Sequence, residues 1–101
     1  MRRWHRPIPL TPLYEKDVPD RPGVYVLLED ERQLASVVKI MPTRSLLRGF
    51  RREIGGQDPE EKVRPSALMY FETAYEAEEA DRLLREYRRN NGRRPALNSP
   101  F

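Results

Sequence analysis

Apolar positions along this chain come in short bursts separated by charged or proline-rich stretches, and the spacing within each burst names an element. Val24-Tyr25-Val26-Leu27-Leu28, launched by the turn Pro19-Asp20-Arg21-Pro22-Gly23, is rich in β-branched and aromatic residues and predicts a strand. Glu29-Asp30-Glu31-Arg32 is a polar reversal, and the apolar run from Ala35 to Met41 reads as its antiparallel partner. Pro42-Thr43-Arg44 punctuates the chain before Leu46, Leu47, Phe50 and Ile54 recur at helical spacing, and Gly55-Gly56 ends that helix. The stretch from Gln57 to Pro65 is polar and predicts a surface loop, and Ala67-Leu68-Met69-Tyr70-Phe71 predicts the third strand. Thr73-Ala74-Tyr75-Glu76 fits a capping box opening a second helix, with Ala77, Ala80, Leu84 and Tyr87 on one stripe. Its early turns are acidic and its late turns basic, as the helix dipole favours, and Asn90-Asn91-Gly92 stops it. The order β-β-α-β-α predicts an α+β fold, a small three-stranded antiparallel sheet flanked by helices.

The ends change the picture little. Pro7, Pro9, Pro12, Pro19 and Pro22 argue against a helix through most of the first 22 residues, so an extended arm is expected. Ile8, Leu10, Leu13 and Tyr14 are its candidate pins to the body. The chain divides into a proline-rich arm over 1–17, a domain over 18–98 and a tail over 99–101. With 101 residues there is room for one domain and one lean core. No run has the length of a membrane span, and the N-terminus lacks the apolar stretch of a signal peptide, so no membrane association and a cytoplasmic location are expected. The absence of cysteine excludes disulfides and thiolate metal sites, and the single histidine argues against zinc.

Charge adds more. The net charge is only +3, but lysine appears solely at Lys16, Lys39 and Lys62, and arginine supplies the rest of the positive charge. A planar guanidinium suits phosphate oxygens and stacks on bases, which favours a polyanionic partner. A GC-rich genome that favours arginine codons, or heat adaptation through ion-pair networks, would give the same bias. Arg44, Arg48, Arg51 and Arg52 have only Glu53 close by in sequence, and Arg88, Arg89, Arg93 and Arg94 make the densest basic patch around Asn90-Asn91-Gly92. Trp4 and His5, among Arg2, Arg3 and Arg6, either form an arm that stacks on unpaired bases or fold back over apolar surface.

The element order, with Pro22-Gly23-Val24-Tyr25 opening the first strand and Pro95-Ala96-Leu97-Asn98 near the end, resembles the GIY-YIG nuclease domain from about Val18 to Asn98. The resemblance implies a site of two strand tyrosines, a helix arginine, a glutamate and an asparagine around one divalent metal, with a tyrosine activating water. Tyr25 matches the first tyrosine, Arg48 the helix arginine (Arg44 is the alternative) and Asn98 the terminal asparagine. Asp81, four residues after Ala77, matches the metal-binding glutamate, with Glu86 the alternative if the spacing to the tail is the guide. An aspartate is one methylene shorter, which draws its carboxylate back by about 1.5 Å. The second tyrosine motif is missing, because Ser36-Val37-Val38-Lys39-Ile40 offers valine where the family has tyrosine. Valine neither takes nor gives a proton, so that route to water activation is lost.

These residues imply a nucleic-acid-binding domain for DNA or RNA whose cleavage is impaired or absent, with no cofactor. A first alternative is an active metal-dependent endonuclease using Tyr25, Arg48 and Asn98 and one Mg or Mn ion on Asp81 or Glu86. A second is a protein-interaction scaffold that docks a partner through the N-terminal arm. Each site residue also has an ordinary role. Tyr25 fills a strand position, Asp81 compensates a helix dipole, and the arginines form solvated helix faces.

Overall fold

The computed structural model describes residues 4–98. In chain order the elements are β1 (Ile8–Pro9), a 3-10 helix (Pro12–Asp17), β2 (Gly23–Leu28), β3 (Val37–Thr43), α1 (Leu46–Gly55), β4 (Ala67–Glu72) and α2 (Glu76–Asn91). The four strands form one antiparallel sheet in the order β1-β4-β2-β3.

All six residues of β2 are buried, because the strand is paired on both edges and covered on both faces. Alternation then sorts its side chains between two layers. Tyr25 and Leu27 point to a cluster with Leu46 and Phe50 of α1, Leu68 and Tyr70 of β4, Val38, Val18 and Ile8. Val24, Val26 and Leu28 point the other way, to Ile40, Ala67, Phe71 and Ala80, with Leu83, Leu84 and Tyr87 of α2 packed against them. Helices α1 and α2 therefore lie on opposite faces of the sheet. Gly23 is where β2 passes closest to its neighbours, since a Cβ there would run into the Phe71 carbonyl and the Leu46 side chain.

Four expectations are corrected. The sheet has four strands, because the first of them lies inside the proline-rich arm. His5 N–H donates to the Tyr70 carbonyl at 2.7 Å, Ile8 and Pro9 pair with Leu68 and Ala67, and Leu10 N–H donates to the Ser66 carbonyl at 3.0 Å. Proline is tolerated there because β1 is an edge strand. The same arm holds a 3-10 helix, started by Pro12 in its first turn and by Thr11, whose Oγ1 accepts from the Leu13 amide. Ile8 and Leu10 do pin the arm to the core, whereas Leu13 is 80% exposed.

β3 runs through Pro42 to Thr43 instead of stopping at Met41, again because it is an edge strand. Its start shifts to Val37, since Ser36 is held in the turn, accepting from the Asp30 amide and donating to the Gln33 carbonyl. Finally, Thr73 does not cap α2. Its Oγ1 accepts from the Tyr75 amide, the helix starts two residues later than that cap would place it, and Ala77 faces solvent while Leu83 takes its place on the buried stripe. The stop at Gly92 is as expected, with left-handed backbone at φ 72° and its amide bonded to the Arg88 carbonyl.

The outer edge of β3 is closed by the C-terminal segment. Leu97 N–H donates to the Val38 carbonyl at 2.8 Å, and the Asn98 side chain brackets Ile40, Oδ1 accepting from its amide and Nδ2 donating to its carbonyl, both at 2.8 Å. The amide thus behaves like a further strand residue and blunts an exposed edge. Asn98→Asp is expected to cost about 1–3 kcal/mol, because an oxygen would then face the Ile40 carbonyl. Urea unfolding checks this, and an unchanged midpoint would show that the edge holds without the amide.

Candidate functional site

The Tyr25 ring lies under α1, and it fits because residue 49 is glycine, where a Cβ would come within 2.8 Å of Tyr25 Cε2. Tyr25 is wholly buried, at 0% exposure. One helical turn on from Gly49, Glu53 continues the inward face of α1, and its Oε2 accepts from the Tyr25 hydroxyl at 2.5 Å. The same oxygen accepts from Lys39 Nζ at 2.8 Å, with Lys39 reaching in from β3. Within residues 36–40, where the resemblance leads one to expect a second tyrosine, β3 carries Lys39, paired to a carboxylate.

This arrangement fixes the chemistry of Tyr25. Burial, then the hydrogen bond to Glu53 and the nearby carboxylate charge, push the phenol far above its ordinary value, with Arg52 opposing weakly. The hydroxyl is a donor and stays protonated, so it is unsuited to accept a proton from water. Linkage follows with a definite sign. The unfolded phenol ionises near 10.0 and the folded one well above it. The stability from this bond is therefore complete below about pH 10 and declines as pH rises past it. Melting temperatures measured from about pH 9 to 11 are expected to fall for the parent and to fall less for Tyr25→Phe. Some slope should persist in the variant, because burial also raises Tyr70.

Lys39 and Glu53 open into a cleft of about 400 Å³ between the end of α1, the loop 57–65 and Leu97. The loop predicted as ordinary surface is the wall of this cleft. Its ionisable lining is Lys39, Glu53, Asp58, Glu61 and Arg64, which is not a cradle for phosphate. The N-terminus of α1 is not one either. The amides of Leu46 and Leu47 donate to the carbonyls of Arg21 and Pro19, and that of Arg48 to Ser45 Oγ, which in turn donates to Asp20.

The other expected site residues are dispersed. Arg48 is exposed on the solvent side of α1. Asn98 spends its side chain on Ile40. Asp81 pairs with Arg85 at 3.1 Å and Glu86 with Arg82 at 2.9 Å, both on α2, across the sheet from Tyr25. No group of three or more His, Asp or Glu side chains among the described residues has the geometry to hold a metal ion. With Tyr25 and Arg48 on the α1 side of the sheet and Asp81 and Glu86 on α2 across it, the residues matched by the resemblance do not come together around one divalent ion.

The structure also sorts the arginines. Arg51 is bonded to Glu15, and Arg82 and Arg85 are neutralised along α2. Among the described residues, Arg44, Arg48, Arg52, Arg88, Arg89 and Arg93 are exposed and form no ion pair. Trp4 packs edge-on against Phe71 at 4.6 Å, and His5 stacks on Tyr70 at 4.7 Å, so both fold back across the β4 edge. Arg2 and Arg3, and the tail over 99–101, lie outside the described residues. None of the helices is long and apolar enough to cross a membrane among the described residues. Compared with known proteins, the chain matches no family model, no curated sequence and no solved structure.

Proposed function

We propose that this protein is a nucleic-acid-binding module, similar in outline to a GIY-YIG domain, that does not cleave by the tyrosine route. The observation that carries the binding half is the set of exposed, unpaired guanidiniums on α1 and at the end of α2, in a domain whose other arginines are largely neutralised. Such groups gain by releasing counterions from a phosphate backbone. Loss of cleavage is supported by the buried, donating Tyr25 and by candidate metal carboxylates on the far face of the sheet.

A labelled duplex, run on native and denaturing gels after incubation with Mn²⁺, tests both halves. A retarded band with intact strands is expected. Product strands that disappear with chelator, and that are lost in Tyr25→Phe, would instead establish an active nuclease. The scaffold alternative draws on the exposed Leu13 and Tyr14 in the 3-10 helix, and it gains only if no nucleic acid is bound.

A further inference from the structure

Among the described residues, six of the exposed arginines without an ion pair fall into two groups with the sheet between them, while Arg6 in the arm and Arg64 in the loop 57–65 belong to neither. Arg44, Arg48 and Arg52 recur every fourth residue before and along α1, whose inward side is Leu46, Gly49 and Phe50. Arg88, Arg89 and Arg93 sit in and just beyond the last turn of α2, whose inward side is Ala80, Leu83, Leu84 and Tyr87. Because α1 covers one face of the sheet and α2 the other, the two groups belong to helices on opposite faces of the sheet. The early part of α2 offers no path between them, since Glu76, Glu78, Glu79 and Asp81 precede or neutralise its arginines. A duplex is stiff over about 150 bp, so a short one lying on either helix does not fold around the domain to meet the other group.

Resting on the nucleic-acid reading above, we propose that one molecule holds two duplex segments at once, one against α1 and one against the C-terminal end of α2, and so acts as a bridge. Each group supplies a few phosphate contacts and no deep groove, which suits sequence-independent contact with two backbones. The two faces are separable by mutation, because all the residues involved are exposed.

The test is a sandwich assay. One short duplex is fixed to beads, a second carries a fluorophore, and the protein is added, with DNA and RNA duplexes run in parallel to identify the nucleic acid. The parent protein should retain the fluorescent duplex on the beads. Arg48→Glu/Arg52→Glu and Arg88→Glu/Arg89→Glu should each still bind a single duplex by anisotropy, while retaining at least tenfold less of the second. Sedimentation should give one protein to two duplexes. Binding to a single duplex without retention, or retention that survives both paired variants, overturns the bridge while leaving the binding module intact. Retention found only where the free protein sediments as a dimer also overturns it. Failure to bind any duplex removes both proposals together.

Discussion

Glu53→Ala is expected to lower the unfolding free energy by about 2–4 kcal/mol, a large loss for one exposed-looking acidic residue in an arginine-rich helix. The reason is that a single oxygen, Glu53 Oε2, is the partner of both Tyr25 Oη and Lys39 Nζ. Removing it takes from the buried Tyr25 hydroxyl its carboxylate partner and leaves a void between the phenol and the cleft. Lys39 fares better. Its side chain is 23% exposed and borders the cleft, so it can rotate toward solvent, which keeps the estimate below that for a fully enclosed pair. Glu53→Gln retains an acceptor and should cost less than half as much. Adding Tyr25→Phe to Glu53→Ala should recover part of the loss, since the stranded hydroxyl is gone. Denaturant unfolding of the four proteins decides the matter. If Glu53→Ala unfolds within about 0.5 kcal/mol of the parent, the ordinary range for surface substitutions, the pair is not a structural clamp.

The second large effect is on binding. Arg48→Glu/Arg52→Glu/Arg88→Glu/Arg89→Glu is expected to weaken duplex binding at least a hundredfold at low salt, with little change in stability. Each of these side chains is exposed and without an ion pair among the described residues, so the fold does not depend on it. Each would lose a phosphate contact and introduce a repulsive charge. Lysine replacements at the same four positions keep the charge but lose the fork, and they should fall between parent and reversed variant. Reversing Arg82 and Arg85 makes the control. These two already satisfy Glu79, Glu86 and Asp81, and their loss should disturb α2 more than it disturbs binding.

Much of the fold was legible because local pattern and tertiary environment agree. The run Val24 to Leu28 reads as a strand on content alone, and Gly23 opens it where the chain passes closest to the Phe71 carbonyl and the Leu46 side chain. The elements that were not legible depend on distant partners. A two-residue strand containing proline carries no pattern of its own, and only the β4 edge makes Ile8 and Pro9 a strand. Thr73 has the right spacing for a cap, but its hydroxyl is taken by the turn that precedes the helix. Pro42 reads as a stop, and it continues a strand only because β3 is the last strand of the sheet and the C-terminal segment bonds to it at Val38 and Ile40, not at Pro42.

The site was less legible than the fold. Sequence pattern singles out Tyr25 only through the resemblance and as a catalytic group, and it reads Glu53 as a neutraliser of neighbouring arginines and Lys39 as a departure from a motif. A signal did exist. Lys39 is the one charge in an apolar strand, and Glu53 lies one turn beyond Gly49 on the inward side of α1, beside Ile54. Opposite charges in two otherwise apolar stripes find each other, because neither is stable alone next to a core. Asp81 and Glu86 matched by spacing along the chain, but α2 packs on the other face, which spacing does not encode.

The most direct measurement is the salt dependence of binding to a short duplex, followed by fluorescence anisotropy from about 50 to 200 mM salt. Three phosphate contacts on one face predict a slope near −2.7 in a log–log plot, a roughly forty-fold loss over that range, falling to about −0.9 or shallower in the four-site arginine variant, which keeps one arginine of each group. Binding that ignores salt, or that the variant shares, would contradict the account.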